Sequence, residues 1–230
     1  MTNRRSGECV YCGALGQLTD DHIPPEGLCG KPRPSDLVKV PSCLRCNGGA
    51  SKDDEYFRTV MVMKAGASSH PEAMTIRPAV FRALEKARKA GFARHIIRSS
   101  RPVSLRTPAG LYVGRGFALD VDLARLDRVV SRITKALFWH HHNKQRLPDD
   151  FEVPVYSEDG LRDMRPADMT RIQRQILAPV LRQPVHLIGR DVLRYWYSEA
   201  PDREQVTAWI YEFYGDVRFL ALTLPRQGRT

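Results

Sequence analysis

The side chains of this sequence that can do chemistry crowd into its first quarter. Cys9 and Cys12 form one CxxC pair and Cys43 and Cys46 a second; Asp20, Asp21, His22, Ile23 and Pro24 lie between the pairs, and Asn47 directly follows the last cysteine. Two thiolate pairs on short turns suit one tetrahedral zinc ion, which takes two sulfurs from each turn and ties distant segments together. The enclosed stretch then carries a carboxylate and an imidazole, with an amide just past its end. Oxygen donors such as Asp and Asn suit a hard divalent cation, Mg²⁺ or Mn²⁺. A neutral imidazole accepts a proton near ambient pH. Ligands and a base of this kind serve hydrolysis.

All five cysteines fall at or before position 46, which suits one metal module in a reducing compartment better than a disulfide framework. Cys29 is left over and reads as a small apolar residue, since four sulfurs close a structural site. No apolar run approaches 18 residues, and Met1 to Ser6 lack the apolar stretch of a signal peptide. The expectation is a cytoplasmic protein without a membrane span.

The elements that must position these groups are legible in the patterning. Leu15 to Ile23 reads as a short strand or hairpin arm that delivers His22. Pro24, Pro25, Gly27, Gly30, Pro32 and Pro34 make most of 24–35 a surface loop. Leu37, Val38 and Val40 form a second short strand into the second cysteine pair, and Asn47 opens a helix that runs best from Ser51 to about Lys64, with Ser51 and Asp54 resembling an N-cap signal. Tyr56, Val60 and Met63 share its buried face. Further on, helices are expected over 77–90, over 122–144 on the stripe Leu126, Val130, Ile133 and Leu137, and near 166–181. Strands are expected at 103–105, 111–119, 192–198, 206–214 and 217–224, the last two joined by a Gly-Asp turn. His140, His141 and His142 cannot converge on one ion, because consecutive helical residues diverge by about 100°.

The formal charge of +10 is concentrated. Residues 1–60 hold eight basic and eight acidic side chains, 61–110 ten against two, and 111–230 eighteen against sixteen. A basic segment beside a hydrolytic module suggests a polyanionic partner bound with counterion release; a merely solvated face is the alternative. On the 77–90 helix, Arg82, Lys86 and Lys89 fall on one side, and Arg94, Arg98, Arg101 and Arg106 prolong the ridge.

The two CxxC pairs, the Asp21-His22 dyad and Asn47 after the fourth cysteine make residues 9–57 resemble the HNH nucleases, in the branch whose ββα-metal finger is braced by a four-cysteine zinc. The resemblance implies a zinc-braced HNH finger, placed in a module over 1–66; it says nothing of the rest, where the patterning and charge read as a mixed, mainly helical region over 67–230 with a basic nucleic-acid-binding surface and a C-terminal β-hairpin, making an α+β chain. It implies that His22 is the general base, that Asp21 and Asn47 hold a catalytic Mg²⁺ or Mn²⁺, and that the substrate is a phosphodiester, most naturally DNA. Asp36 stands where the family's pattern has an Asn that orients the base. Lys52 would contact the phosphate, and Asp54, seven residues past Asn47, lies on the face of the metal ligand. Adjacent residues of a straight strand point to opposite faces, so Asp21 and His22 can cooperate only if the Ile-Pro-Pro bend intervenes. Two further classes stay open: a zinc-dependent nucleic-acid-binding protein that does not cleave, and a zinc-structured protein-interaction module.

Overall fold

The computed structural model describes residues 5–64, 69–86, 90–107 and 109–226. Its N-terminal part is a three-stranded antiparallel sheet in the order β1 (Arg5–Glu8), β2 (Leu15–Ile23), β3 (Val38–Cys43), followed by α1 (Leu44–Met63). β2 and β3 stay in register from Leu18 opposite Cys43 to Ile23 opposite Val38. Residues 24–37 hold one short 3₁₀ turn, Glu26–Leu28, as their six Pro and Gly residues dictate. α1 starts at Leu44, three residues before Asn47, and continues unbroken through Gly48 and Gly49. Ser51 therefore lies inside the helix, its hydroxyl donating to the Gly48 carbonyl at 2.9 Å. Tyr56 and Val60 are buried as expected, and Met63 is half-buried.

The helix expected over 77–90 is two helices. α2 (Pro71–Leu84) begins six residues earlier, with His70 accepting the Glu72 N–H and Pro71 in its first turn, where a missing N–H costs nothing. α3 (Ala90–Arg98) follows. β4 (Ser100–Arg106) and β5 (Tyr112–Leu119) form a separate two-stranded ribbon. α4 (Leu123–His141) buries Leu126, Val130, Ile133 and Leu137, the stripe read from the sequence, together with Val129, Ala136 and Phe138.

The C-terminal strands are more than a hairpin. β6 (Phe151–Glu152), β11 (Val217–Pro225), β10 (Arg203–Phe213), β9 (Leu193–Ala200) and β8 (His186–Ile188) are neighbours in that order, and β7 (Val155–Ser157) also pairs with β11. One face of this six-stranded sheet carries α5 (Glu158–Arg162), α6 (Pro166–Ile172) and α7 (Ala178–Leu181), the last two joined through a π-helical turn at Gln173–Leu177. The other face meets α1 and α4. Phe57 of α1 packs edge-on against Phe213 of β10 at 5.0 Å, and the Tyr211 hydroxyl donates to Thr134 of α4 at 2.9 Å. One core thus runs across position 66: Val10, Ile23, Leu28 and Phe57 share it with Ile133, Leu193, Trp209 and Phe219. Among the described residues no helix is long and apolar enough to cross a membrane.

Candidate metal centre and catalytic cleft

The first cysteine pair sits in a tight turn between β1 and β2. The Gly13 N–H returns to the Cys9 carbonyl at 2.9 Å, and the Cys9 N–H reaches the Ala14 carbonyl at 3.0 Å. Gly13 has φ +69°, and a Cβ there would meet the Arg146 guanidinium at 2.9 Å, so both backbone and space call for glycine. The second pair straddles the junction of strand and helix: Cys43 ends β3 and caps α1, and Cys46 lies in the first turn. The Val10 N–H to Pro41 carbonyl bond, 3.0 Å, locks the two turns together.

The ligand atoms of Cys9, Cys12, Cys43 and Cys46 all lie within 4.8 Å of one another, and the Cys12 and Cys43 sulfurs are 3.8 Å apart. A tetrahedral zinc with about 2.3 Å bonds separates its sulfurs by about 3.8 Å. The donor set fits structural zinc. Burial opposes the Cys9 thiolate, but backbone groups of Cys43, Cys12 and Tyr11 outweigh it and lower its pKa to about 6, while burial pushes Cys46 up. Cys29 is not part of the cluster; it is buried in the core, where burial raises its thiol to about 12.

Asp21 is on the inner face of β2 and is 7 % exposed. Its Oδ2 accepts from the Tyr11 hydroxyl at 2.7 Å and lies 3.4 Å from Arg132 Nε; its Oδ1 accepts from the His22 N–H at 2.9 Å. Arg132 also donates to Asp54 Oδ1 at 2.6 Å. Asp21 and Asp54 are therefore brought together, as their places on β2 and α1 suggest, but the cation between them is a guanidinium. Burial works against the charge of Arg132, yet Asp54 and Asp21 outweigh it and hold its pKa up. Burial raises Asp54, partly offset by Arg132. It also raises Tyr11, helped by the Asp21 carboxylate. A Mg²⁺-type ion needs hard oxygens with positions to spare. With both Asp21 oxygens and one of Asp54 already engaged, this arrangement does not fit such an ion.

Asn47 clamps the helix onto the strand, its Nδ2 donating to Thr19 Oγ1 at 2.9 Å and to the Asp20 carbonyl at 3.3 Å. Thr19 shares the inner face of β2 with Asp21, so Asn47 lies on that side. His22 lies on the other side: β2 is regular through His22 opposite Lys39, and the bend follows only at Ile23-Pro24. The His22 imidazole is half-exposed and makes no hydrogen bond with a described residue.

The remaining expected groups are dispersed. Asp36 does not orient His22; its Oδ2 accepts the Gly189 N–H at 2.9 Å and fastens the loop to the C-terminal sheet. The Lys52 side chain is exposed, and its carbonyl accepts from Arg125 at 2.6 Å. Arg82, Lys86, Arg94, Arg98 and Arg101 are exposed, but on α2, past its end, on α3 and on β4, so they form no single helical ridge. Lys89 lies outside the described residues.

The sequence reading missed Tyr11, Asp53 and Arg132. Arg125, Arg128 and Arg132 fall off the apolar stripe of α4, where a ridge of charge is ordinarily a solvated face. Instead they face the carboxylates of α1, with Arg125 and Arg128 on Asp53 at 2.8 and 2.7 Å. The signal was present as matched spacing: three arginines at helical intervals on one element, two adjacent aspartates on another. Between these helices runs a groove of about 520 Å³ lined by Tyr11, Cys46, Gly49, Asp53, Arg132 and Lys135, among others. Comparison of the chain with protein-family models, curated proteins and solved structures found no match.

Proposed function

We propose that the chain is a metal-dependent endonuclease of the HNH type that hydrolyses phosphodiester bonds in DNA. The observation that carries this reading is local. A zinc-competent cysteine tetrad joins β2, β3 and α1, and Asn47, one residue past the tetrad, is clamped to β2 beside the Asp21-His22 dyad. His22, half-exposed and with no hydrogen bond to its imidazole from a described residue, is the group that takes the proton of the attacking water. Asn47 holds the start of α1 against the strand that carries this base. Asp21, held by Tyr11 and Arg132, is not open to a Mg²⁺-type ion in this arrangement, so the Lewis-acid stabilisation of the phosphate charge that such an ion supplies would need other oxygen ligands.

The Asp21 to Arg132 contact favours a second reading, a zinc-dependent nucleic-acid-binding protein that does not cleave, because it spends the carboxylate on an internal cation. A plasmid-nicking assay across Mg²⁺, Mn²⁺ and Ni²⁺ separates the two. The nuclease reading expects nicking that His22→Ala abolishes while duplex affinity is retained. Binding without nicking in any of these metals would leave the second reading standing alone.

A further inference from the structure

We infer that the β4–β5 ribbon is the element that enters the major groove of duplex DNA. The inference rests on the nucleic-acid half of the proposed function and not on cleavage. From Ala90 to Leu119 the sequence has five arginines (Arg94, Arg98, Arg101, Arg106 and Arg115) and no Asp or Glu. Of the other twenty described arginines eleven form ion pairs, such as Arg125 and Arg128 with Asp53 or Arg194 and Arg218 with Glu212. No carboxylate of a described residue pairs with any of these five. A stretch of uncompensated positive charge on an exposed element is the footprint of a polyanion.

The shape supports the same partner. The ribbon is rooted at one end, where the Asp120 N–H donates to the Ser99 carbonyl at 2.7 Å and Ile96 of α3 is buried in the core. Beyond that root most of its side chains are open to solvent. Phe117 is 78 % exposed, and Tyr112, Val113 and Leu105 are exposed as well. A two-stranded ribbon that buries so little is marginal alone, so a partner that covers it is expected.

Directly opposed residues share a face. Arg101, Val103 and Leu105 lie opposite Ala118, Gly116 and Gly114 on one, and Pro102 and Ser104 opposite Phe117 and Arg115 on the other. Gly116 keeps the ribbon thin, since a Cβ there would meet the Leu105 methyls at 3.1 Å. Strands about 4.8 Å apart with such small residues fit a groove about 12 Å wide that admits a two-stranded ribbon. Both faces mix arginine with apolar groups, whereas insertion into an anionic membrane surface needs one apolar face.

The test is fluorescence anisotropy of the full chain, zinc-loaded, with a short duplex between about 50 and 200 mM salt. The combined variant Arg101→Gln, Arg106→Gln, Arg115→Gln is expected to lose at least about tenfold in affinity and to flatten the logarithmic salt slope by about 2 to 3, near 0.9 for each phosphate contact removed. Phe117→Ser is expected to weaken binding with the slope unchanged. A control variant, Arg162→Gln, Arg165→Gln, Arg171→Gln, is expected to change neither affinity nor slope, and zinc content checks that each protein is folded. If the ribbon variant loses binding although wild type nicks no plasmid in any metal, the ribbon assignment stands and the nuclease reading falls. If wild type binds and nicks while the ribbon variant matches it, the ribbon assignment alone falls. Equal or tighter binding to a single strand, or binding to phosphatidylserine vesicles in place of duplex, overturns the assignment.

Discussion

Two charged clusters lie side by side in the first part of the chain, and they meet the cost of gathering like groups in opposite ways. The four thiols of Cys9, Cys12, Cys43 and Cys46 converge with only the exposed Arg45 guanidinium against Cys12 at their edge, and their spacing suits an ion from solution. The carboxylates of Asp21 and Asp54 converge on the Arg132 guanidinium, a cation supplied by the chain. One cluster fits a metal and would tie folding to it. The other makes folding depend on α4 reaching α1 from nearly eighty residues away. A third group, His141, takes neither route: it is packed among His186, Tyr195, Tyr197 and Trp209 and stays neutral.

The largest expected effect breaks the first cluster. Chelation of zinc, or Cys43→Ser, is expected to unfold the finger and abolish a single cooperative melting transition, since structural zinc contributes on the order of 10 kcal/mol in small modules. Metal content by atomic emission together with circular dichroism checks this. A stable, cooperative apoprotein would mean that the shared core with β10 and β11 suffices without metal.

Next in size is the second cluster. Arg132→Met leaves two carboxylates facing each other with little solvent, and the expected cost is about 3–5 kcal/mol in denaturant unfolding. Adding Asp21→Asn and Asp54→Asn to Arg132→Met should recover most of that loss. If the single and the combined variants are equally unstable, Arg132 acts through packing and not through charge.

His141 gives the pH dependence. Burial, then His140 and His186, lowers its pKa to about 4. The unfolded imidazole takes a proton below about 6.5, so the folded chain holds this stability above that pH and loses it as pH falls toward 4. The loss is roughly 1–2 kcal/mol once solvent screening is allowed for. Melting temperature should fall as pH is lowered through this window, and His141→Gln should flatten the dependence.

The smallest effect comes from the rim of the second cluster. Arg128 and then Arg125 hold Asp53 below the usual carboxylate range. Asp53→Asn should cost about 0.5–1 kcal/mol at neutral pH, and the difference should shrink as pH falls below the ordinary Asp value and vanish below the lowered folded one, where wild type also loses the charge. An undiminished difference in acid would assign Asp53 a hydrogen-bonding role.

How much of this was legible in the residues divides along the same line. The bounds of β2, the buried stripe of α4 and the cysteine tetrad were all visible, because each depends on residues a few positions apart or on a ligand chemistry with few alternatives. The break between α2 and α3 was not, since charge spacing alone continued through Ala90. The fate of Asp36 was hidden too: its partner Gly189 is 153 residues away, and an Asp that fastens a loop looks like one that orients a base.

The sequence by itself determined that a thiol-bound ion can join two strands and a helix around Asp21, His22 and Asn47. Only the tertiary structure decided which cation Asp21 meets. Strand and helix periodicities are local properties, but a buried charge is neutralised by whatever packing brings within a few ångströms, and here that is Arg132 of α4. The same holds for the basic segment: composition set its charge, while the fold placed Arg101 and Arg106 on an open ribbon beside Arg115.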